Sequence, residues 1–328
     1  MNERVQEWDL SEGARAIAWD EALGAIPGGD NPFLQSAWLG GLRGCLGQEL
    51  RAFALRGRDD EGIRAAIAGT RFGRWGIHGL RRPFATPLCC PVAASPEDRD
   101  RLFKALQEHY LFLEMAFPPG EAVPETWAAD GARLGQKATH LLDLGNAEEL
   151  WNGFKGELRT NIRKALKLGI MVEPDGEDWP GFFRLYRGLF EERLGARLPF
   201  GEQRFAELCR AVVAGGAGRL YEARDRQGRL HVSALILIEP RRGHAAYALS
   251  ASDPELRKSG ANSCLLWRVF QDCERPGAVF DFVGANLPNM ARYKRNFRGR
   301  EAMTYQLETA RWPWAGKALR ALRQVRAS

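Results

Sequence analysis

Residues 247–299 alternate strand and helix signals around one basic, glycine-bearing turn, and this order limits the fold more than any other part of the chain. The apolar run 245–249 breaks into a Ser/Asp/Pro loop. Arg257-Lys258-Ser259-Gly260-Ala261-Asn262 follows and leads straight into an apolar helical pattern. A second short strand, 279–283, comes next, and then another helix start. A basic turn that opens a helix between two strands makes an anion site, because free backbone N–H groups and the positive helix end converge there. Gly260 accepts a positive φ and lets a diphosphate come close, while Arg257 and Lys258 add charge. A plain helix cap is the other reading of such a turn.

The chain has 328 residues, 45% hydrophobic and 27% charged, which predicts a globular protein of two domains. The polar start MNERVQEWDL does not read as a signal peptide, and no run approaches the roughly 20 apolar residues of a membrane span. The expectation is a soluble, cytoplasmic protein. Six cysteines show no C-x-x-C spacing, so they are expected to stay reduced, with Cys89-Cys90 as two buried small side chains. Five scattered histidines form no helical or hairpin ligand pair, and no metal is expected. A net charge of +6, carried mainly by Arg, suits anionic partners: CoA phosphates, tRNA, nucleotide-linked sugars or acidic lipids.

The two halves run in a similar order. The C-terminal half reads as a long helix at 147–168, a strand near 170–173, and helices at 178–194 and 201–214. Strands follow at 219–224, 231–239 and 244–250, with Gln227-Gly228 as a hairpin turn. The helix at 257–275, strand 279–283, helix 288–298 and a strand near 302–308 complete it. The N-terminal half reads as a helix from Asn31 to Leu42, strands at 50–56 and 63–70, and an apolar piece at 84–92. Ser95-Pro96-Glu97-Asp98 then starts a helix to Tyr110, ahead of strand 111–117. This suggests a duplication: an N-terminal domain over 1–145, a C-terminal domain over 146–310 and a basic tail over 311–328. The loop before the N-half helix has three prolines and no glycine, so one anion site per chain is expected.

Three further patterns stand out. On the helix 288–298, Met290, Tyr293, Lys294 and Phe297 share one face, and Lys294 is the charged residue among them. A lysine there either snorkels to the edge or serves a site, since burying its charge alone is costly. Along 147–168, Lys155, Arg159, Arg163 and Lys167 repeat every four residues beside an apolar stripe. Like charges so spaced repel, so the ladder suits an anionic partner, although a solvated basic face explains it too. In the tail, Lys317, Arg320, Arg323 and Arg326 alternate with Leu319, Leu322 and Val325, behind Trp312 and Trp314. Such a tail either packs on its own domain or makes peripheral contact with an acidic membrane.

The segments LRTNIRKALKLGIMVEP (158–174), YALSASDPELRKSGAN (247–262), FDFVGAN (280–286) and ARYKRNFRG (291–299), with NPFLQSAW (31–38), resemble the GNAT superfamily in its two-domain FemAB-like or BioF2-like acetyltransferase branch. The resemblance implies an α+β fold: tandem GNAT-like domains, each a mixed, largely antiparallel sheet flanked by helices. It also implies an acyl-CoA donor held by a Q/R-x-x-G-x-G/A loop. Arg257, Gly260 and Ala261 match that loop, with Lys258 and Ser259 between them, while Asn262 stands where Gly or Ala is usual. In Fem-type enzymes the donor is an aminoacyl-tRNA and an aromatic-Lys pair on the late helix aids transfer; Tyr293-Lys294 holds that position here.

The expected reaction is acyl transfer to an amine of a small molecule or cell-envelope precursor, with no protein nucleophile, since no Cys–His or Ser–His pairing stands out. Such a site holds a neutral amine near the donor carbonyl and aims hydrogen-bond donors at the oxyanion. Lys294 is expected to stabilise developing charge or donor phosphates, Tyr293 to protonate the leaving group, and Asp281 to position the acceptor or relay its proton. Arg159, Arg163 and Asn286 are the candidate substrate-binding residues. Two alternatives stay open: a tRNA-dependent transferase, whose ladder contacts the tRNA backbone, and a non-catalytic RNA- or membrane-binding module.

Overall fold

The computed structural model describes residues 5–47, 49–57, 62–74, 77–128, 132–195, 197–284 and 288–312. The first part of the chain forms β1 (Val5–Trp8), α1 (Gly13–Leu23), α2 (Ser36–Leu46), β2 (Leu50–Arg56), β3 (Ile63–Arg74), β4 (Ile77–Arg81), β5 (Val92–Ala93), α3 (Pro96–His109), β6 (Phe112–Ala116) and β7 (Arg133–Asp143). Then come α4 (Ala147–Gly153), α5 (Gly156–Lys167), β8 (Met171–Pro174), α6 (Trp179–Leu194), α7 (Glu202–Ala214), β9 (Gly218–Arg224), β10 (Leu230–Ile238), β11 (Ala245–Ser252), α8 (Ala261–Asp272), β12 (Val279–Asp281), α9 (Pro288–Arg295) and β13 (Arg300–Ala310).

These elements gather into two compact units, each discontinuous in sequence. One takes the described residues of 1–30, 47–138 and 302–328; the other takes 31–46 and 139–301. In the first unit β1, β2, β3 and β4 run antiparallel to their neighbours, and β6 lies parallel to β4. In the second, β8, β9, β10 and β11 run antiparallel and β12 lies parallel to β11. Each unit is therefore an antiparallel meander, a crossover helix (α3 or α8) and a strand parallel to the last of the meander. The duplication read from element order is present as shared topology.

The expected domain limits at 145 and 310 need correction. The strand that follows β6 in sequence, β7, pairs at its end with β12, and β13 pairs with β6. Each unit is thus completed by a strand from the other half of the chain. Residues 31–46 also move to the second unit, where Gln35 Nε2 donates to Ile238 O at 3.1 Å. Apolar periodicity places a strand's faces but not its neighbours, so neither exchange shows in the sequence.

Several local readings also change. The single helix expected over 147–168 is two, because Phe154 and Lys155 are extended between Gly153 and Gly156. Lys155 therefore leaves the ladder, and Arg159, Arg163 and Lys167 remain on α5. The apolar piece 84–92 contributes only a bridge at Cys89 and the start of β5, since Pro87 and Pro91 lack the N–H a ladder needs.

In the second unit every residue of β10 from Leu230 to Leu237 is buried, because helices cover both sides. Tyr221, Ala223, Val232, Ala234 and Ile236 join α5 and α8 in one core, while α6 and α7 pack on the other face. Two-sided cover explains why HVSALILIE reads as a nearly continuous apolar run. At the far edge of that core Phe154, Phe270, Phe280, Phe282 and Phe297 pack edge to face, fixing β12 and the chain after α9 against α8. Burying each such ring contributes roughly 1.5–3 kcal/mol. Among the described residues, no helix is long and apolar enough to cross a membrane.

Candidate active site

The site lies where β11 and β12 part. Among the described residues they pair at Ala245↔Phe280 and Ala246↔Asp281, after which β12 ends and β11 runs on to Ser252. A register shift against β10 leaves Ala248 without a partner opposite, so β11 bulges just past the last shared pair. On the β12 side the backbone turns away through two left-handed residues, Val283 (φ 47°) and Gly284 (φ 67°). A β-branched residue at that φ is strained and needs support from its surroundings.

Lys294 supplies that support. Its side chain is 3% exposed, and its Nζ donates to Phe282 O at 3.1 Å, to Val283 O at 2.9 Å and to Gly284 O. Three acceptors match the three protons of an ammonium. Burial lowers its pKa to about 8, with Asp281 partly opposing. The lysine expected to contact donor phosphates is instead occupied with backbone carbonyls, and its charge reaches the site through the field.

Asp281 ends β12. One carboxylate oxygen, Oδ1, accepts from Thr139 Oγ1 at 2.6 Å and from Val283 N at 2.8 Å. Burial raises its pKa, while those two bonds and Lys294 pull the other way. Oδ2 has no hydrogen bond among the described residues and is free to take a proton. Beside Thr139, His140 is fully buried with no hydrogen bond to either ring nitrogen among those residues, its Nε2 lying 3.9 Å from Glu301 Oε2; burial lowers its pKa, with Glu301 opposing.

The entrance of α8 faces β11 and α9. Gly260 is left-handed (φ 80°), and a Cβ there would lie 2.3 Å from Asn161 O, so glycine is required by the close approach of α5. Ala261 N is taken by Ser259 Oγ at 3.2 Å, and Cys264 N bonds Gly260 O. The N–H groups of Asn262 and Ser263 have no partner among the described residues, which is the pattern of an anion-receiving helix start, with Asn262 half-buried and Ser263 buried. Of these four leading amides two are bonded and two are without a partner among the described residues. Arg257 pairs with the exposed Glu192 at 2.8 Å, and Lys258 O accepts from Lys164 Nζ at 2.7 Å.

Asn262, the departure from the usual small residue, ties three elements together. Tyr247 OH of β11 donates to its Oδ1 at 2.8 Å, and its Nδ2 donates to Tyr293 OH of α9 at 3.0 Å. Ser263 Oγ shares a 3.1 Å bond with the same phenol. Burial raises the pKa of both tyrosines, Tyr247 to about 12, so each stays a neutral proton donor. Tyr293 therefore reaches the α8 entrance, whereas Lys294 one residue on serves the end of β12.

A Ser–His pairing missed in the sequence also emerges. Asp225 Oδ2 lies 3.2 Å from His231 Nε2, and His231 Nδ1 lies 3.0 Å from Ser259 Oγ. Asp225 also accepts from the Gln227 and Arg229 amides, so this chain anchors the β9–β10 hairpin to the α8 turn. The residues are 34 positions apart, and no local spacing signals them. Of the remaining expected residues, Arg159 is half-buried on α5, Arg163 lies 5.5 Å over the Trp151 ring, and Asn286 falls outside the described residues, as does most of the tail. The equivalent helix start in the first unit is sealed by its own acid: buried Asp98 takes Arg64 and Ser95 Oγ. Two clefts of about 420 and 340 Å³ lie elsewhere in the second unit and include none of the expected site residues.

A splayed parallel pair and a bulged strand beside a left-handed glycine at a helix entrance make up a GNAT-type fold. The family described as "Acetyltransferase (GNAT) domain" matches residues 152–295 of the chain. The structure of FemX is similar at TM-score 0.65, with 14% identity over 89% of this chain and 95% of that one. L-PGS from Bacillus licheniformis gives 0.58, with 15% identity over 92% of each chain. A tandem GNAT protein from the clavulanic acid biosynthesis pathway gives 0.55, with 14% identity over 95% of this chain and 99% of that one. No curated protein matches by sequence.

Proposed function

We propose that the protein is a cytoplasmic N-acyltransferase that moves an acyl group from acyl-CoA to an amine of a small molecule or cell-envelope precursor. The observation that carries this reading is the parting of β11 from β12 beside two open amides of α8, with Asp281 and Tyr293 on its flanks. The Asn262 and Ser263 amides hold donor phosphate. The acceptor amine attacks the thioester carbonyl carbon: a C–N bond forms, the C–S bond breaks, and the amine proton passes to Asp281 Oδ2. Tyr293, kept protonated by burial, is the proton donor for the departing thiolate. Lys294 holds the strained turn in place and lends positive potential.

Thermal denaturation with a panel of acyl-CoAs tests the reading. Stabilisation that grows with acyl-CoA concentration supports it; no shift with any of them removes it. The Fem-type aminoacyl-tRNA donor is the second reading, favoured by Asn262, which stands where Gly or Ala is usual in the CoA loop and whose side chain is tied to Tyr247 and Tyr293. It requires salt-sensitive tRNA retention on a filter. Failure of both assays would leave a non-catalytic binding module.

A further inference from the structure

We propose that the end of α5, the turn after it and the edge strand β8 form a docking surface for an anionic lipid bilayer. Leu166, Leu168 and Met171 are 56%, 52% and 57% exposed, and they fall within six residues. Large apolar side chains so grouped on a surface mark an interaction site rather than ordinary scatter. From Leu158 to Val172 the sequence has four cations, Arg159, Arg163, Lys164 and Lys167, and no acid. Leu166 sits one turn from Arg163 on α5. The Arg226 side chain lies across Gly169, where a Cβ would meet its Nε at 2.5 Å, so a fifth cation stands between Leu168 and Met171. The nearest acid along the chain is Glu173, on the same strand face as Met171.

The composition selects the partner. Phosphate-rich RNA would satisfy the cations, but exposed Leu and Met neither stack on bases nor hydrogen-bond to phosphate. A bilayer of acidic lipids takes both: apolar tips enter the acyl boundary and the surrounding cations meet headgroup phosphates. The proposal does not depend on the acyl donor. It makes the α8 turn a neighbour of the headgroup layer, since Lys164 of the same helix reaches Lys258 O.

Co-sedimentation of the full chain with vesicles tests it. Binding is expected with phosphatidylcholine mixed with phosphatidylglycerol, weakening as salt screens the charges, and little with phosphatidylcholine alone. Lys167→Glu should weaken binding at least about fivefold, the factor that roughly 1 kcal/mol per cation represents. Leu168→Ser with Met171→Ser should weaken it severalfold, with an unchanged melting temperature because these residues face solvent. A second readout is a polarity-sensitive dye on Leu168→Cys; all six native cysteines are buried, and the dye should shift to the blue on acidic vesicles. Equal binding to neutral vesicles, no binding to either kind, or parent-like binding by the variants each overturns the proposal. So does full competition by tRNA with no effect of the Leu168 and Met171 changes, or concentration-dependent dimerisation abolished by those changes.

Discussion

Thr139 Oγ1 donates to Asp281 Oδ1 across 2.6 Å, so the residue on β7 sets how readily the acid at the end of β12 gives up its proton. Burial holds the Asp281 pKa above its ordinary value, and the threonine bond opposes that rise. Thr139→Val removes the opposition. The acid limb of the kcat/KM profile should therefore move to higher pH, with the fold intact by circular dichroism. The sign for stability follows: between its unfolded and folded pKa the native acid holds the extra proton, so stability falls as pH rises through that window. An unmoved profile would take Asp281 out of the proton path.

Lys294 gives a second pH signature with the opposite sign. Its pKa drops from 10.5 to about 8 on folding. Above about 8 the unfolded chain binds the proton that the native state has lost, so this group adds stability as pH rises toward 10.5, by at most roughly 1.4 kcal/mol per unit. Lys294→Met should flatten that slope in urea titrations. It should also lower stability near neutral pH, by about 1–3 kcal/mol for each acceptor left unpaired and buried.

Gly260 distinguishes strain from crowding. Alanine there meets both a left-handed φ and Asn161 O, so Gly260→Ala should destabilise by more than the roughly 1–3 kcal/mol of backbone strain alone. Asparagine tolerates the φ but carries the same Cβ. Gly260→Asn should therefore remain clearly destabilised in thermal melts; near-parental stability would show that the approach of α5 is not tight.

Asn262 bridges two phenols, and Asn262→Ala should cost about 1–3 kcal/mol through the groups left unpaired. A double-mutant cycle with Tyr293→Phe should give a coupling of about 0.5–3 kcal/mol, read from urea midpoints. Simple additivity would mean the bridge does not form in solution.

The strands of the second unit were legible because their burial is two-sided or cleanly bounded: 219–224, 231–239 and 244–250 became β9, β10 and β11 with ends shifted by one or two residues. Helices with a clear cap were legible too, such as α3 behind Ser95 and α6 behind Asp178. β1, β4 and the polar start of β7 were missed, since IHGLR and RLGQKAT carry too few alternating apolar residues to announce a strand. At the site, the Gly260 turn and Tyr293 could be named from local order, because chain-adjacent residues build them. Thr139, Tyr247 and the Asp225–His231–Ser259 chain could not, as each acts through a partner that only strand pairing brings near. The side on which Lys294 spends its protons was equally hidden: helical spacing gives a face, not what stands opposite it.

Helix α2 leaves the ribosome early, yet it belongs to α7, which is made more than a hundred residues later. The fit is tight: a Cβ on Gly41 would come 2.9 Å from Leu208 Cδ1. A fragment beginning at Thr139 would therefore emerge with a bare seat on α7, and adding residues 31–46 as a free peptide, or moving the chain ends by circular permutation, is the route to a stand-alone second unit.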